Sequence, residues 1–399
     1  MGDMWPGVYV KEIPGGARPI EAVGTSTAAF VAEAPRPTDK AEGAVAINNW
    51  TQFVTHFAGD SKAENPLANA VYGFFQNGGS RCYVVNSSSV IEGLKPLERI
   101  DDVAIVCAPG ATDAASYDAV LTHCENLKDR VAILDGPAKV DDVEMLTRVL
   151  PGDAPAPVDA GDAGGKKKKG TPGAGAAVGK PRPSDGGYGA VYYPWLNIRN
   201  PLDSSKPIQA APSGHVAGIY ARCDALVGVH KAPANAIVNG ATGVSQSLTN
   251  SEHAILNGAA VNAIRFNSTR GIRVMGARTL AGAASEWRYI NVRRLFAMVE
   301  ESIGRDTQWV IFEPNDLNLW KLLKRDLDAF LTRIWRAGAL QGATPEEAFF
   351  VKCDEETNPQ ERIDAGEVNA VIALAPVKPA EFVILQFTQG MNGASVQEG

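Results

Sequence analysis

Residues 103–137, VAIVCAPGATDAASYDAVLTHCENLKDRVAILDGP, decide the fold class. Two apolar runs, VAIVCAPG and RVAILDGP, flank a stretch in which Tyr117, Val120, Leu121, Cys124 and Leu127 recur at helical spacing. Strand, amphipathic helix and strand in that order make a βαβ unit. Neither strand alternates apolar with polar; both are continuous apolar runs, as in a parallel sheet covered on both faces. The pattern extends outward. Upstream, NPLANAVYGFFQNGG offers Asn65 as a cap, Pro66 at the first helical position and Leu67, Val71, Phe74 and Phe75 as apolar residues, and the strand RCYVVN follows. Downstream, GAVYYPWLNI reads as a strand and APSGHVAGIYARCDALVG as a helix opening at Ser213. The expected core is α/β.

At 399 residues the chain has room for two or three domains. Its composition, 45% hydrophobic and 21% charged, is that of a globular protein, and a net charge of −7 argues against a dedicated nucleic-acid binder. No uninterrupted apolar run approaches the length of a membrane-spanning helix, and the N-terminus has no basic segment followed by an apolar one. The protein is expected to stay where it is made. Cys82, Cys107, Cys124, Cys223 and Cys353 are widely spaced with no C-x-x-C pair, so neither a disulfide framework nor a zinc site is expected, and the thiols should be buried.

Residues 151–187, PGDAPAPVDAGDAGGKKKKGTPGAGAAVGKPRPSDGG, stand apart. Nearly all Gly, Ala, Pro, Asp and Lys, they cannot bury enough apolar surface to offset their ordering entropy, so a surface excursion is expected. The run Lys166–Lys169 fails the P-loop pattern, because Lys167 stands where Ser or Thr is needed and Ala160 where the first Gly is needed. In the last third, EWRYINVRRLFAMVEESIG puts Val292, Leu295, Phe296, Val299 and Ile303 on one helical face, with Gly304 as the stop. WVIFEP reads as a strand. NDLNLWKLLKRDLDAFLTRIWRAG is the longest helix, capped by Asn315 or Asp316, with Trp320, Leu323, Leu327, Phe330, Leu331 and Ile334 as its stripe and Lys321, Lys324, Arg325 and Arg333 off it. Strand-like EEAFFVKCD, EVNAVIALAPVKPA and EFVILQFTQG follow.

Chemistry-bearing constellations are sparse. His56, His123, His215, His230 and His253 fall in no metal-ligand spacing. GATGVSQSL misses the nucleophile-elbow pattern at Ser247, and no G-x-G-x-x-G follows a strand. Asp113 and Asp135, at the strand exits CAPGATD and LDGPAK, are the best catalytic candidates for an α/β enzyme with its site at strand C-termini, although such pairs also serve simply to turn the chain. Asp354, Glu355 and Glu356 cluster at a strand end without EF-hand spacing, as a solvated turn would.

Near the N-terminus, PGVYVKEIPGG (residues 6–16) holds Val8, Tyr9, Val10, Lys11 and Ile13 between turn-formers, with no matching strand behind it. With EFVILQFTQG near the other end, both termini carry strands that lack an obvious partner, and an isolated strand leaves its ladder groups unpaired. A subunit with strand donors at both ends and an acceptor edge bonds head to tail into open helical assemblies.

Strings along the chain carry a resemblance: PGVYVKEIPGGARPI with TSTAAFV, then PSGHVAGIYAR, GVHKAPAN, GIRVMGARTL, WRYINVRRLF, IFEPND followed by LW, AFFVKCDEETN and KPAEFVILQFTQ. In that order they resemble the contractile tail sheath proteins of myophage tails, R-type pyocins and phage-tail-like extracellular injection systems. The likeness covers about residues 6–30 and 207–389, with Met275 where the pattern leads one to expect Trp. The resemblance implies a non-enzymatic structural subunit without cofactor, stacking as hexameric rings in a helix around an inner tube and contracting to drive the tube through a target envelope. It implies a central, subtilisin-like but non-catalytic α/β domain over 21–275, with the excursion inside it, and an α+β domain over 276–380. Strand-exchange arms over 1–20 and 381–399 would use Val8, Tyr9, Val10, Lys11, Ile13, Phe382, Val383, Ile384, Leu385 and Phe387. The implied partners are further copies, the inner tube (met by Lys321, Lys324, Arg325 and Arg333), baseplate and terminator proteins, with no nucleic acid and no membrane insertion. Assembly in the bacterial cytoplasm and residence in the released particle follow from the same likeness.

Overall fold

The computed structural model describes residues 19–36, 43–151 and 178–382, and the backbone of 386–390 and 393–397. The strands of the first unit are, in chain order, β1 (Ala28–Ala32), β2 (Val45–Ile47), β3 (Cys82–Asn86), β4 (Ile105–Cys107), β5 (Val131–Asp135), β6 (Gly189–Tyr193), β7 (Leu196–Asn200), β8 (Asp203–Ala210), β9 (Ala236–Ile237), β10 (Ala241–Val244), β11 (Val261–Asn267) and β12 (Gly271–Val274). Nine of them form one sheet in the order β2-β3-β1-β4-β5-β6-β11-β12-β9. Neighbours from β3 to β11 are parallel, and antiparallel β2, β12 and β9 finish the edges. The expected βαβ unit is β4, helix α2 and β5, with Ile105 opposite Val131.

The four longer helices that pack on this sheet among the described residues are α1 (Pro66–Gln76), α2 (Ala114–Leu127), α3 (Ser213–Leu226) and α4 (Asn250–Gly258). Because strand residues alternate between faces, Phe30, Val84, Ile105, Ile133 and Tyr192 enter one core with α1 and α3. Val31, Val106, Ala132 and Leu134 enter another with Tyr117, Val120, Leu121 and Cys124 of α2. The two-sided core explains why the strands read as continuous apolar runs. Asn65 caps α1 by accepting the Ala68 amide at 3.0 Å, with Pro66 following it, as the sequence indicates.

Helices α1 and α3 meet backbone to backbone. A Cβ on Gly214 would stand 2.2 Å from the Ala70 carbonyl oxygen, and one on Gly218 would stand 2.4 Å from that of Phe74. Gly73 makes room for the buried ring of His215. A buried ion pair holds the rim of this unit: Arg294 donates to both carboxylate oxygens of Asp224 (2.5 and 3.0 Å) and to the Thr25 carbonyl, and lies 4.7 Å over the Tyr220 ring.

Three readings are corrected here. GAVYYPWLNI is two strands: β6 ends at Tyr193, Pro194 follows a cis bond, and β7 joins a separate sheet ordered β10-β7-β8. Proline has no amide donor for a ladder, so the run breaks there. Of the residues 151–187 read as one excursion, 152–177 lie outside the described residues. Residues 178–187 are built into the fold, because α2 carries the carboxylates that hold them: Arg182 pairs with Asp118 (2.5 Å) and Glu125 (2.8 Å), and Ser184 donates to Glu125. The chain leaves and returns at one stem, where the Leu150 amide donates to the Lys180 carbonyl and the Lys180 amide to the Arg148 carbonyl, each at 2.8 Å.

The second unit takes Glu300–Ala375 with the described residues before Val23; the first takes Val23–Val299 with those from Pro376 on. Helix α5 (Ile290–Asp306) runs on through Gly304, where the sequence reading places its stop. Helix α6 (Leu317–Arg336) is capped by Asp316, which accepts the Asn318 and Leu319 amides at 2.9 Å, and buries the expected stripe from Trp320 to Ile334. Strands β13 (Phe349–Lys352) and β14 (Val371–Leu374) form an antiparallel pair. WVIFEP is the third correction: Gln308–Val310 is a 3-10 turn and Phe312, at φ 69°, is fully exposed. A β-rich composition makes a strand only where another strand can pair with it, and this stretch merely links two long helices. In the first unit, β15 (Gln386–Gly390) and β16 (Gly393–Gln397) make a hairpin with Phe387 opposite Val396.

Candidate assembly interface

The carboxylates singled out for chemistry have structural duties. Asp113 caps α2, accepting the Ser116 amide at 2.9 Å. Burial pulls its carboxyl upward, but the bonds from Ser116 outweigh that and hold it below its usual range. Asp135 is buried and ties the β4–α2 loop to the start of α3: it accepts the Gly110 amide (3.0 Å), the Ser213 amide (2.7 Å) and the Ser213 hydroxyl (2.8 Å). Burial pushes its carboxyl up to about 6, against the pull of those bonds. Among the described residues no group of three or more His, Cys, Asp or Glu is arranged to hold a metal ion. Asp354 closes a turn, accepting the Glu356 amide at 3.0 Å. The five thiols are free, four of them buried, and burial pushes each of them up.

Burial lowers four of the five histidines, His123, His215, His230 and His253, the first two most strongly. Burial lowers His215 to about 4, and burial with the nearby Arg130 charge lowers His123 to about 4. As pH falls through the ordinary histidine range near 6.5, the unfolded chain takes up protons that these folded-state rings refuse, so stability is lost between about 6.5 and 4. Asp135 works the other way, taking its proton near 6 when folded and near 3.8 when unfolded, and offsets one histidine. The melting temperature is therefore expected to fall from pH 6.5 to 4, less steeply in His215→Gln; a rise over that window would contradict these assignments.

What the structure leaves incomplete is main-chain pairing. Strand β13 pairs only with β14, and neither has a further strand beside it among the described residues. Phe349, Val351, Ile372 and Leu374 lie on one face, where Val351 is buried, and helix α6 packs against β13. On the other face Phe350 and Val371 are half exposed. A two-stranded ribbon is marginal by itself, and its outer edges present free donors and acceptors.

The chain next to each expected arm is clamped. Within the second unit, Glu21 donates its amide to Asp306 (2.6 Å) and accepts from Arg305 on its carbonyl (3.2 Å), and the Ile20 carbonyl accepts from Arg333. Within the first, Glu381 receives a two-pronged bond from Arg278 at 2.8 and 2.6 Å, directly before the exposed Phe382. Val8, Tyr9, Val10, Lys11 and Ile13, and likewise Val383, Ile384 and Leu385, lie outside the described residues. Of the basic set on α6, Arg333 holds Ile20 and Arg325 pairs with the buried Asp326 at 2.9 Å; Lys321 and Lys324 are exposed and have no ion pair among the described residues. The clamps at Glu21 and Glu381 escaped the sequence reading, because partners some hundred or more positions apart leave no local signal.

Comparisons with known proteins agree on one class. The family model described as phage tail sheath protein central domain matches residues 180–280, and the phage tail sheath C-terminal domain matches residues 283–390. A chain of the sheath complex of an extracellular contractile injection system, PVC, in its contracted state is 30% identical, with a TM-score of 0.79 over 98% of this chain and 99% of that one. The contracted helical sheath of the anti-feeding prophage is 30% identical, with a TM-score of 0.73 over 97% and 100%. The tail sheath protein of Vibrio phage KVP40 is 29% identical over 189 residues, 47% of this chain but 27% of the phage protein, so the match spans about a quarter of that relative. The chain belongs to the sheath protein family of phage tails and phage-tail-like contractile injection systems.

Proposed function

We propose that the chain is the sheath subunit of a contractile tail-like particle, polymerising as stacked hexameric rings in a helix around an inner tube and shortening to drive that tube through a target envelope. The observation that carries this reading is the β13–β14 ribbon, whose two edges have no further strand among the described residues. Arms over 1–20 and 381–399 supply strands through Val8–Ile13 and Phe382–Phe387 of neighbouring copies. Main-chain bonds of about 0.5–1.5 kcal/mol each then tether copies while their domains rotate. The central sheet serves as a non-catalytic, subtilisin-like scaffold; family fold does not carry activity with it. Baseplate and terminator proteins cap the polymer, assembly takes place in the cytoplasm, and the subunit leaves in the released particle. Purified full-length chain should form tubes or stacked rings by negative-stain microscopy; a discrete small oligomer at every concentration would contradict the proposal.

Two further expectations belong to this reading. Lys321 and Lys324, with Arg325 and Arg333 beside them, form a basic strip on α6 suited to an acidic tube wall. Exposed pairs are worth about 0–1 kcal/mol each, weak enough to release on contraction. Lys321→Glu with Lys324→Glu should reduce co-purification of tube with sheath, and undiminished co-purification would sink the assignment. The excursion, closed at its Leu150–Lys180 stem, belongs on the outer surface of the sheath. Replacing residues 152–177 by a short Gly-Ser linker should leave polymerisation intact, and a variant that folds but no longer polymerises would overturn that placement.

A further inference from the structure

The hairpin β11–β12 carries an unfavourable charge arrangement. Arg265 and Arg273 are directly opposite in the antiparallel register, and Ile237 of β9 is opposite Arg273. Like charges at directly opposed positions repel and destabilise a sheet. Arg270 sits exposed at the hairpin turn, and Arg222 of α3 reaches the same edge to donate to the Ile237 carbonyl at 2.6 Å. Among the described residues none of these four guanidinium groups pairs with a carboxylate. Those that bond use neutral partners: Arg265 the Leu248 carbonyl (3.0 Å) and the His253 ring (3.5 Å), Arg273 the carbonyls of Asn235 (2.5 Å) and Arg270 (3.1 Å) and the Asn235 side-chain oxygen (3.5 Å). Carbonyls orient the forks but leave the charge uncompensated. Ile237, opposite Arg273 and on the same face, is 43% exposed, while Phe266 lies on the other face of β11. Arginine is enriched at protein interfaces, and its fork is shaped for carboxylates.

The same chain carries a complement. Between β13 and β14, residues 353–370 hold Asp354, Glu355, Glu356, Glu361, Asp364 and Glu367 against a single basic residue, Arg362. All six carboxylate residues are exposed. Only Glu356, with Lys352, and Glu367, with Arg362, have a basic partner among the described residues. We infer that the arginine edge of β9–β12–β11 docks on the acidic β13–β14 connection of a second copy of this chain. Each copy offers one basic and one acidic surface, so the contact is heterologous and repeats from copy to copy, as the rings and helix of a sheath require. The inference rests on the sheath reading and adds to strand exchange a second contact between copies, made by side chains.

Charge reversal and charge exchange in the full chain test it. Arg270→Glu, at the hairpin turn where its side chain supports nothing else, and Arg270→Glu with Arg273→Glu should raise the concentration needed for polymerisation by about tenfold or more. Unchanged circular dichroism and melting temperature separate that effect from misfolding, and the single variant keeps the test valid if the double one unfolds. Combining the double reversal with Glu361→Arg and Asp364→Arg should restore polymerisation in part, because two reversed positions on the arginine edge then face two reversed positions on the acidic connection. If wild type polymerises and the reversed proteins do so equally, this contact is wrong while the sheath reading stands. Loss without restoration gives the edge a different partner and equally overturns the inference. Wild type that forms no polymer overturns the sheath reading, and this contact with it.

Discussion

Gly214→Ala is expected to lower the melting temperature by about 6–12 °C, while Gly304→Ala leaves it unchanged or raises it by a few degrees. The two substitutions add the same methyl group inside a helix. At Gly214 that methyl meets the Ala70 carbonyl oxygen at 2.2 Å and its Cα at 2.3 Å. Both are main-chain atoms, so no rotamer change relieves the overlap, and α3 must move away from α1. Overpacking of this kind costs about 3 kcal/mol. It would also open the core around Phe74, Val216 and Ile219. At Gly304 nothing lies within 4 Å of the added atom, so only the better helix propensity of alanine remains. Thermal unfolding of both variants by circular dichroism measures the contrast, and equal effects at the two positions would show that α1 and α3 are not in backbone contact.

Removing either arm, residues 1–13 or 383–399, is expected to abolish polymerisation while the melting temperature stays within about 2 °C of wild type. The stability half of this follows from the clamps. Truncation before Ile20 leaves the Glu21 bonds to Arg305 and Asp306, and truncation after Phe382 leaves Glu381 on Arg278. The assembly half follows from arithmetic. A shared strand of four or five main-chain bonds at about 1 kcal/mol each supplies 4–5 kcal/mol per contact, so its loss weakens each contact about a thousandfold. Sedimentation velocity reads both truncations against the full chain. A truncated protein that still sediments as long polymer would show that the arms are not the tether.

The fold was largely legible where its cause is local. The apolar runs around residues 103–137, the caps at Asn65 and Asp316, and the stripe from Trp320 to Ile334 depend on periodicity and on side chains within a turn or two, and they lie where the sequence puts them. The misreadings have tertiary causes. WVIFEP has strand composition but no strand to pair with, GAVYYPWLNI changes sheets at Pro194, and residues 178–187 look featureless until Arg182 meets Asp118 and Glu125 across more than fifty positions. At the candidate interface, the sequence singled out the strand composition of the arms but could not show that β13–β14 has no further strand beside it among the described residues. The facing of Arg265 by Arg273 was equally hidden, since only the register of β11 on β12 creates it.

Strand exchange is the central claim, and a cryo-electron-microscopy reconstruction of the assembled polymer tests it most directly. The account predicts β13–β14 widened into a larger sheet, with at least one added strand traced to Val8–Ile13 or Phe382–Phe387 of a neighbouring copy. A polymer in which both outer edges of that ribbon stay bare, or are filled by strands of the same copy, would contradict it.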